Sequence, residues 1–489
     1  MVNAKLISLL ELAERAYTGT KLPENEWNLS LYRAIQSLLT RYSLRYSGPD
    51  RFFDVDDDEV DQFFDAAVTL LSELGVYCVT TNRIIHLTQD EIHNAAKSAS
   101  NEIIVGTGTD QRILRKRVVE DHHHANFHIG GHCPWPQDVA LTMMSAYANV
   151  QRNDYIEGFN VTEIDGYELR GEALSAYAGR RTIEIMRAAV SRVGRPGMAI
   201  AYYPTLTRAG VMLAPLDPDN ALRKTDGVLL STQRDLKIEE NYLQTAMMYE
   251  RYGGFRLNGG TSSVIGGFCG PLEGAMLETI AKHLVGWICY RDQFSYGPAV
   301  YSQAELVHGR NVNLRVDLRH LPPNWATYVI ARAIQRHSNL IIFGAGIRGV
   351  SGTGGPMSVS HLLAAARNVI ATTVLGSNVS GGSTPYHGEW LIQVSDATVN
   401  AHITRQEIRT LLPQLDHEIT RARADDGSAS DTYVGDQRMS AYHDFASYLT
   451  ALNHVFNYQK LIPHPTLVTN INKASQVLEN YGFDIETII

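Results

Sequence analysis

From about residue 127 onward, short β-branched or aromatic runs alternate with long amphipathic stretches, and this alternation constrains the fold more than any other feature. The strand candidates are Phe127–Ile129, Tyr155–Phe159, Met198–Tyr203, Gly227–Leu230, Phe255–Leu257, Ala299–Tyr301, Leu340–Phe343 and Val374–Leu375. Helical patterns separate most of them. The clearest runs through Ile183, Met186, Ala189, Val190 and Val193 and is closed by Gly194-Arg195-Pro196-Gly197. Eight strands with interleaved helices over ~250 residues match the count of a (β/α)8 barrel, whereas a doubly wound sheet carries fewer. The expected fold class is therefore α/β: a (β/α)8 TIM barrel with a mostly helical N-terminal extension and a C-terminal helical tail.

The expected organisation is residues 1–120 as a helical and hairpin extension, 121–415 as the barrel, and 416–489 as a loop followed by helices. In the extension, apolar residues recur at helical spacing from Leu6 to Ala13 and from Val60 to Leu74, and Gly75 stands as the C-cap of the second run. Val76–Thr80 and Ile84–Leu87, split by Thr81-Asn82-Arg83, read as a small hairpin. Thr88 and Glu91 then sit at the spacing of a capping box. The polar stretch Ile419–Arg438 reads as a loop, with a helical tail from about Met439.

Charge narrows the function. Forty-three basic against 52 acidic residues leave a formal net charge of −9, which argues against a general nucleic-acid binder. The four cysteines, Cys78, Cys133, Cys269 and Cys289, form no CxxC and are too sparse for a disulfide framework. No apolar run approaches the ~18 residues of a membrane span, and the N-terminus is charged too early for a signal peptide. A cytoplasmic, soluble protein is the expectation.

Several segments carry a resemblance when taken in order. They are Leu74-Gly75-Val76-Tyr77-Cys78, the stretch through Arg83-Ile84-Ile85 to Asp90-Glu91-Ile92, and Gly106-Thr107-Gly108-x-Asp110 leading to Arg115-Lys116-Arg117. Gly194-Arg195-Pro196-Gly197-Met198, Leu236-Lys237-Ile238 and Gly266-Gly267 continue it. From roughly residue 25 to 400 the chain resembles the archaeal monomethylamine methyltransferases, which pass a methyl group to the cobalt of a separate corrinoid protein. The resemblance implies a (β/α)8 barrel, a corrinoid (cobalamin) carried by a partner protein, a homo-oligomer and a place in archaeal one-carbon metabolism. The family's hallmark is pyrrolysine at the end of the strand after this glycine motif, where its imine captures methylamine. That position falls here on Ala201 or Tyr202, and neither forms an electrophilic imine. The family's two acidic positions and glutamine around it fall near Leu229, Gly260 and Gly349, none of which carries the needed group. The resemblance thus implies a non-pyrrolysine homologue acting on a methylated donor other than monomethylamine.

The leaving group must then be activated differently, by protonation, by a positive charge already on the leaving atom, or by a Lewis-acid metal. Asp121–Cys133 holds five histidines and a cysteine in thirteen residues. Within it, His128, His132 and Cys133 are candidate zinc ligands, because strand alternation aims His128 and His132 the same way toward a strand end. The other reading of the segment is a His-rich loop entering the first strand. Tyr202 and Tyr203 stand at a strand mouth, where one of the pair could donate to a leaving atom or offer its ring face to a methylated ammonium. Glu157 is the candidate general acid or base, and His132 joins it and the tyrosines as a catalytic candidate. Asn160, Ser231, Gln233, Asn258, Gln303, Arg348 and His387, at or beyond other strand ends, are substrate-binding candidates. The glycine clusters at 344–349, 352–355 and 381–382 read as tight turns, a phosphate loop, or room for a bulky corrinoid. Two other functions fit the same residues: a metal-assisted hydrolase or lyase, and a non-catalytic binding or assembly subunit.

Overall fold

A computed structural model describes residues 6–46, 56–130, 137–159, 161, 163–169, 171–202, 221–258, 263–296, 300–302, 321–343, 358–381, 384–425, 456–457 and 459–486. The chain forms two compact units, 1–103 with 228–306 and 321–343, and 104–227 with 307–320 and 344–489. Among the described residues, no helix is long and apolar enough to cross a membrane.

The first unit opens with helices Leu9–Thr18, Glu24–Arg41 and Asp57–Leu74, the last ended by Gly75 at φ 87°. Val76–Cys78 and Arg83–Ile85 form the expected antiparallel hairpin, with Tyr77 opposite Ile84. Tyr77 is fully buried and stacks on Trp27 at 5.3 Å, which ties the hairpin to the second helix. The capping box before helix Gln89–Ser98 is complete: Glu91 N donates to Thr88 Oγ1 at 3.2 Å, and Thr88 N donates to Glu91 Oε2 at 2.8 Å. Thr88→Ala is expected to lower stability by about 1 kcal/mol, read as a shifted urea midpoint at unchanged slope.

Four strands of the expected alternation follow in this unit. Val228 and Leu229 of Gly227–Leu229, then Phe255–Asn258, Phe294–Tyr296 and Ile341–Phe343, lie side by side in chain order. Leu257 pairs with Phe294, and Phe294 with Ile341, both in parallel register. Helices Glu240–Tyr252, Leu272–Val285 and Leu321–His337 connect them.

The sixth strand differs from the expectation. It is Phe294–Tyr296, whose Phe294 ring lies 5.5 Å from Phe255 and 5.3 Å from Phe343. Val300–Ser302 instead pairs with Ser263–Ile265 in a separate two-stranded parallel ribbon. Two short β-prone runs lie three residues apart here, and long-range aromatic packing decides which joins the sheet.

In the second unit, Phe127–His128 pairs in parallel with Val379–Ser380, and Tyr155–Glu157 with Ala199–Tyr202. Asp154 N donates to the Phe127 carbonyl at 3.0 Å, so the first strand lies beside the second. The eighth strand is thus Val379–Ser380. Val374, expected in a strand, ends the helix Val359–Val374, whose residues 362–366 and 369–371 are buried against neighbouring helices. Tertiary burial overrides the β propensity of its Thr372-Thr373-Val374 end. The first residues of the expected loop, 419–425, belong instead to helix Arg405–Asp425, which continues through Pro413, and residues 426–438 lie outside the described ones. Ile408, Leu412, Leu415 and Ile419 form its buried stripe at helical spacing. Pro465–Glu479 supplies part of the expected helical tail, and residues 439–455 lie outside the described ones.

Candidate active site

Packing fixes which way the first strand faces. A Cβ at Gly388, in the helix Pro385–Asn400, would lie 2.2 Å from Ile129 Cδ1 and 3.2 Å from Phe127 Cζ. Phe127 and Ile129 therefore face that helix, and alternation turns His128 and Gly130 to the opposite, inner face of the strands. His128 Nε2 there lies 2.9 Å from Glu157 Oε2, with the two side chains 2% and 0% exposed. Its Nδ1 lies 3.4 Å from the Tyr155 carbonyl oxygen, and its ring stacks on Tyr155 at 4.5 Å and 7°. Glu157, Tyr155 and His128 thus share the inner face. A Cβ at Gly130 would lie 2.8 Å from Glu157 N and 2.9 Å from Glu157 Cβ, so only glycine lets the first strand approach this closely. Gly130→Ala is expected to displace Glu157 and destabilise the unit by about 1–3 kcal/mol, visible as a lower thermal midpoint.

Parallel register extends this face to the third strand, since Glu157 pairs with Ala201 and Tyr155 with Ala199. Gly158 N donates to the Ala201 carbonyl at 2.8 Å, continuing the ladder past Glu157. Alternation puts the neighbouring Tyr202 on the other face, where it is 5% exposed and burial pushes its phenol well above the usual range. Of Ala201 and Tyr202, the register joins Ala201 to the His128–Glu157 pair.

The remaining candidates fall into three groups. His132, Cys133, Asn160, Tyr203, Gln303 and Arg348 lie outside the described residues, as do Gly260 and Gly349. His387 is fully buried in the first turn of its helix, where its backbone N–H donates to Thr384 Oγ1 at 3.2 Å and its ring stacks on Trp390 at 6.2 Å. In the first unit, Gln233 donates to Glu239 and its backbone N–H to the Lys237 carbonyl, closing a loop, while Ser231 is half-buried beside it. Asn258 Nδ2 donates to Thr232 Oγ1 at 3.0 Å and would lie 2.9 Å from a Cβ at Gly286, so it looks onto the helical layer.

As for metal, no group of three or more His, Cys, Asp or Glu residues able to hold an ion occurs among the described residues. The His128 imidazole does not fit as a zinc ligand, because Nε2 is held by Glu157 and Nδ1 faces a carbonyl oxygen. Tyr155 and Gly130 are the site residues that single-strand reading passes over, although alternation across 128 and 130, and across 155 and 157, could have marked both.

Parallel strands with connecting helices, carrying a buried carboxylate–imidazole pair on their inner face, define an α/β barrel. A family model described as monomethylamine methyltransferase MtmB matches residues 7–388. Monomethylamine methyltransferase MtmB2 of Methanosarcina acetivorans is 26% identical over 292 residues, covering 59% of this chain and 63% of that protein. MtmB1 of Methanosarcina barkeri is 26% identical over 288 residues, covering 58% and 62%. The aligned stretch therefore spans less than two thirds of the length of these relatives. The crystal structure of the Methanosarcina barkeri monomethylamine methyltransferase superposes with a TM-score of 0.80 at 21% identity, over 98% of this chain and 99% of that one. The crystal structure of the hydroxylamine MtmB complex superposes equally well. The likeness shows the fold, a (β/α)8 TIM barrel. This chain belongs to the monomethylamine methyltransferase MtmB family.

Proposed function

We propose that this chain transfers a methyl group from a small methylated donor, other than monomethylamine, to the cobalt of a separate corrinoid protein. One observation carries the reading within the family: Ala201, which bears no group able to capture an amine, shares its face with Glu157 and His128. Imine capture has no residue to perform it at that position, and a buried acid–base pair stands beside it instead.

The chemistry asked of the protein is modest. The corrinoid belongs to the partner and receives the methyl, so this chain must hold the donor with its methyl in line, exclude water and steady the departing atom. The inner face suits the last two tasks: His128, Tyr155, Glu157 and Ala201 are all buried, and Nε2 and Oε2 of the pair lie 2.9 Å apart. A cytoplasmic homo-oligomer is the setting that family resemblance supports.

The test is an anaerobic assay of the purified chain with reduced cobalamin and a panel of methylated amines, betaines, thioethers and methoxy compounds. Donor-dependent appearance of the methyl-cobalt spectrum supports the reading. Its absence with every donor overturns it.

A further inference from the structure

We infer that the hairpin of residues 163–168, on the rim of the barrel mouth, is a surface on which the corrinoid protein docks, with Tyr167 as its aromatic anchor. The inference rests on the methyltransferase reading above and adds to it where the partner sits.

Chain order fixes the place of the hairpin. It follows the strand Tyr155–Glu157 and precedes the helix Gly171–Arg192, so it belongs to the connection at the carboxyl end of the second strand. In a (β/α)8 barrel those connections build the mouth, the face at which small molecules enter. Cobalt must reach that face to take the methyl, and the protein that carries it then meets the rim.

Local sequence builds the hairpin. Asp165 and Gly166 both have positive φ, 50° and 82°, the sign pattern of a two-residue type I′ turn. Glu163 pairs with Glu168, and Ile164 with Tyr167, in antiparallel register. Gln137, the first residue of helix Gln137–Asn149, donates from Nε2 to the Glu163 carbonyl oxygen at 2.8 Å, and Arg181 Nε donates to Gln137 Oε1 at 3.0 Å. The base of the hairpin is thus fastened to helices of its own unit. A Cβ at Gly166, by contrast, would meet nothing within 4 Å, so the tip stands in open space. A fastened base lowers the ordering cost that a partner meets on docking.

The surface of this element suits a protein partner. Tyr167 is 71% exposed, and Tyr177, in the second turn of the following helix, is 66% exposed. Tyrosine offers a large, stiff contact area with a polar end, and it is enriched among the residues that dominate interface energies. Residues 158–169 also carry Glu163, Asp165 and Glu168 with no lysine or arginine, and all three acidic residues are exposed. The facing surface of the partner is therefore basic around an apolar recess for Tyr167. The same charges repel nucleic acid, and a two-fold pairing of copies through this tip would set like charges against each other.

The test measures methyl transfer from a donor accepted in the panel above to two acceptors, free cob(I)alamin and a purified corrinoid protein in its cobalt(I) state. Tyr167→Ser is expected to raise the KM for the corrinoid protein about 10- to 30-fold, as loss of an interface anchor does, and to leave the rate with free cob(I)alamin unchanged. Glu163→Lys is expected to raise that KM about 3- to 10-fold at low salt and less at high salt, because a rim charge acts through steering. A thermal midpoint and a sedimentation mass are recorded for each variant. An unchanged KM for the corrinoid protein in Tyr167→Ser would overturn the docking site. Equal losses with both acceptors would overturn it as well, since they mark a defect of the barrel itself. A lower sedimentation mass for Tyr167→Ser would assign the surface to contacts between copies of this chain and likewise overturn it. No methyl transfer by the unaltered chain to either acceptor, with any donor of the panel, would instead overturn the methyltransferase reading.

Discussion

Replacing Glu157 by alanine lowers the methyl-transfer rate by about 100- to 10,000-fold, the range expected when a positioned proton donor is removed. The loss falls on kcat with little change in KM, since proton donation acts in the transition state rather than on ground-state binding. The same change leaves His128 without its partner at a position 2% exposed, and the uncompensated ring costs about 1–3 kcal/mol of stability. Thermal unfolding separates the two effects. A folded variant with an unaltered rate would remove Glu157 from the chemistry.

The largest expected effect on stability lies elsewhere in the same unit. Arg195 is 7% exposed, and Nη1 donates to the Ala148 and Val150 carbonyls at 2.8 and 3.1 Å while Nη2 donates to the Asn153 carbonyl at 2.9 Å. Its Nε also lies 3.6 Å from Asp110 Oδ1. The guanidinium therefore ties the turn after helix Gln137–Asn149 to the start of the second strand and to the 106–110 loop. Arg195→Ala would remove the guanidinium donors from the Ala148, Val150 and Asn153 carbonyls and the cation beside Asp110, leaving Val150 only the Asn153 N–H and Asp110 the Gly197 N–H, at about 3–5 kcal/mol. The check is equilibrium denaturation, and Arg195→Lys is expected to recover only part of the loss, because an ammonium cannot span the same set of acceptors. A loss below about 1 kcal/mol would show that the carbonyls find other partners.

Arg195 also explains what the sequence motifs mean. Gly197 N donates to Asp110 Oδ2 at 2.9 Å, and Thr107 N donates to the Gly197 carbonyl at 2.8 Å. A Cβ at Gly197 would lie 2.2 Å from the Thr107 carbonyl oxygen, so this contact requires glycine. Two of the motifs that carry the family resemblance, Gly106–Asp110 and Gly194–Gly197, are therefore one docking joint before the third strand. Such joints are legible in sequence because each residue type answers a local demand of close approach or buried hydrogen bonding. They report on descent and fold, and say little about substrate.

The barrel alternation was legible for a similar reason, since seven of the eight strand candidates overlap described strands, six of them strands of the expected parallel series, through their own β-branched and aromatic runs. The sixth and eighth were misplaced where a second run of similar propensity lay nearby, and only packing against Phe255 and Phe343, or helix burial around Val374, decides between them. The site was half legible. Glu157 and His128 stand out singly, as an acid at a strand end and as one of a histidine cluster, but their pairing depends on strand adjacency between residues 29 apart. Register likewise sets which of Ala201 and Tyr202 shares a face with the pair, because one residue of slip exchanges the two faces of a strand. The histidine richness of 121–133 left both zinc and a His-rich loop open, and His123 Nδ1 lies 2.9 Å from Asp121 and His124 Nδ1 lies 3.0 Å from Asp396, both at the surface. Two of the four described imidazoles in the segment thus bond surface carboxylates, and one, His128, turns inward.

The most direct measurement follows the cobalt spectrum of a reduced corrinoid protein mixed with this chain, first with monomethylamine alone and then with the panel of other methylated donors. A methyl-cobalt spectrum that grows only in the second mixture, and not without the chain, is the predicted result. Growth with monomethylamine alone would contradict the account, because it would require amine capture at a face where the structure places Ala201 beside Glu157.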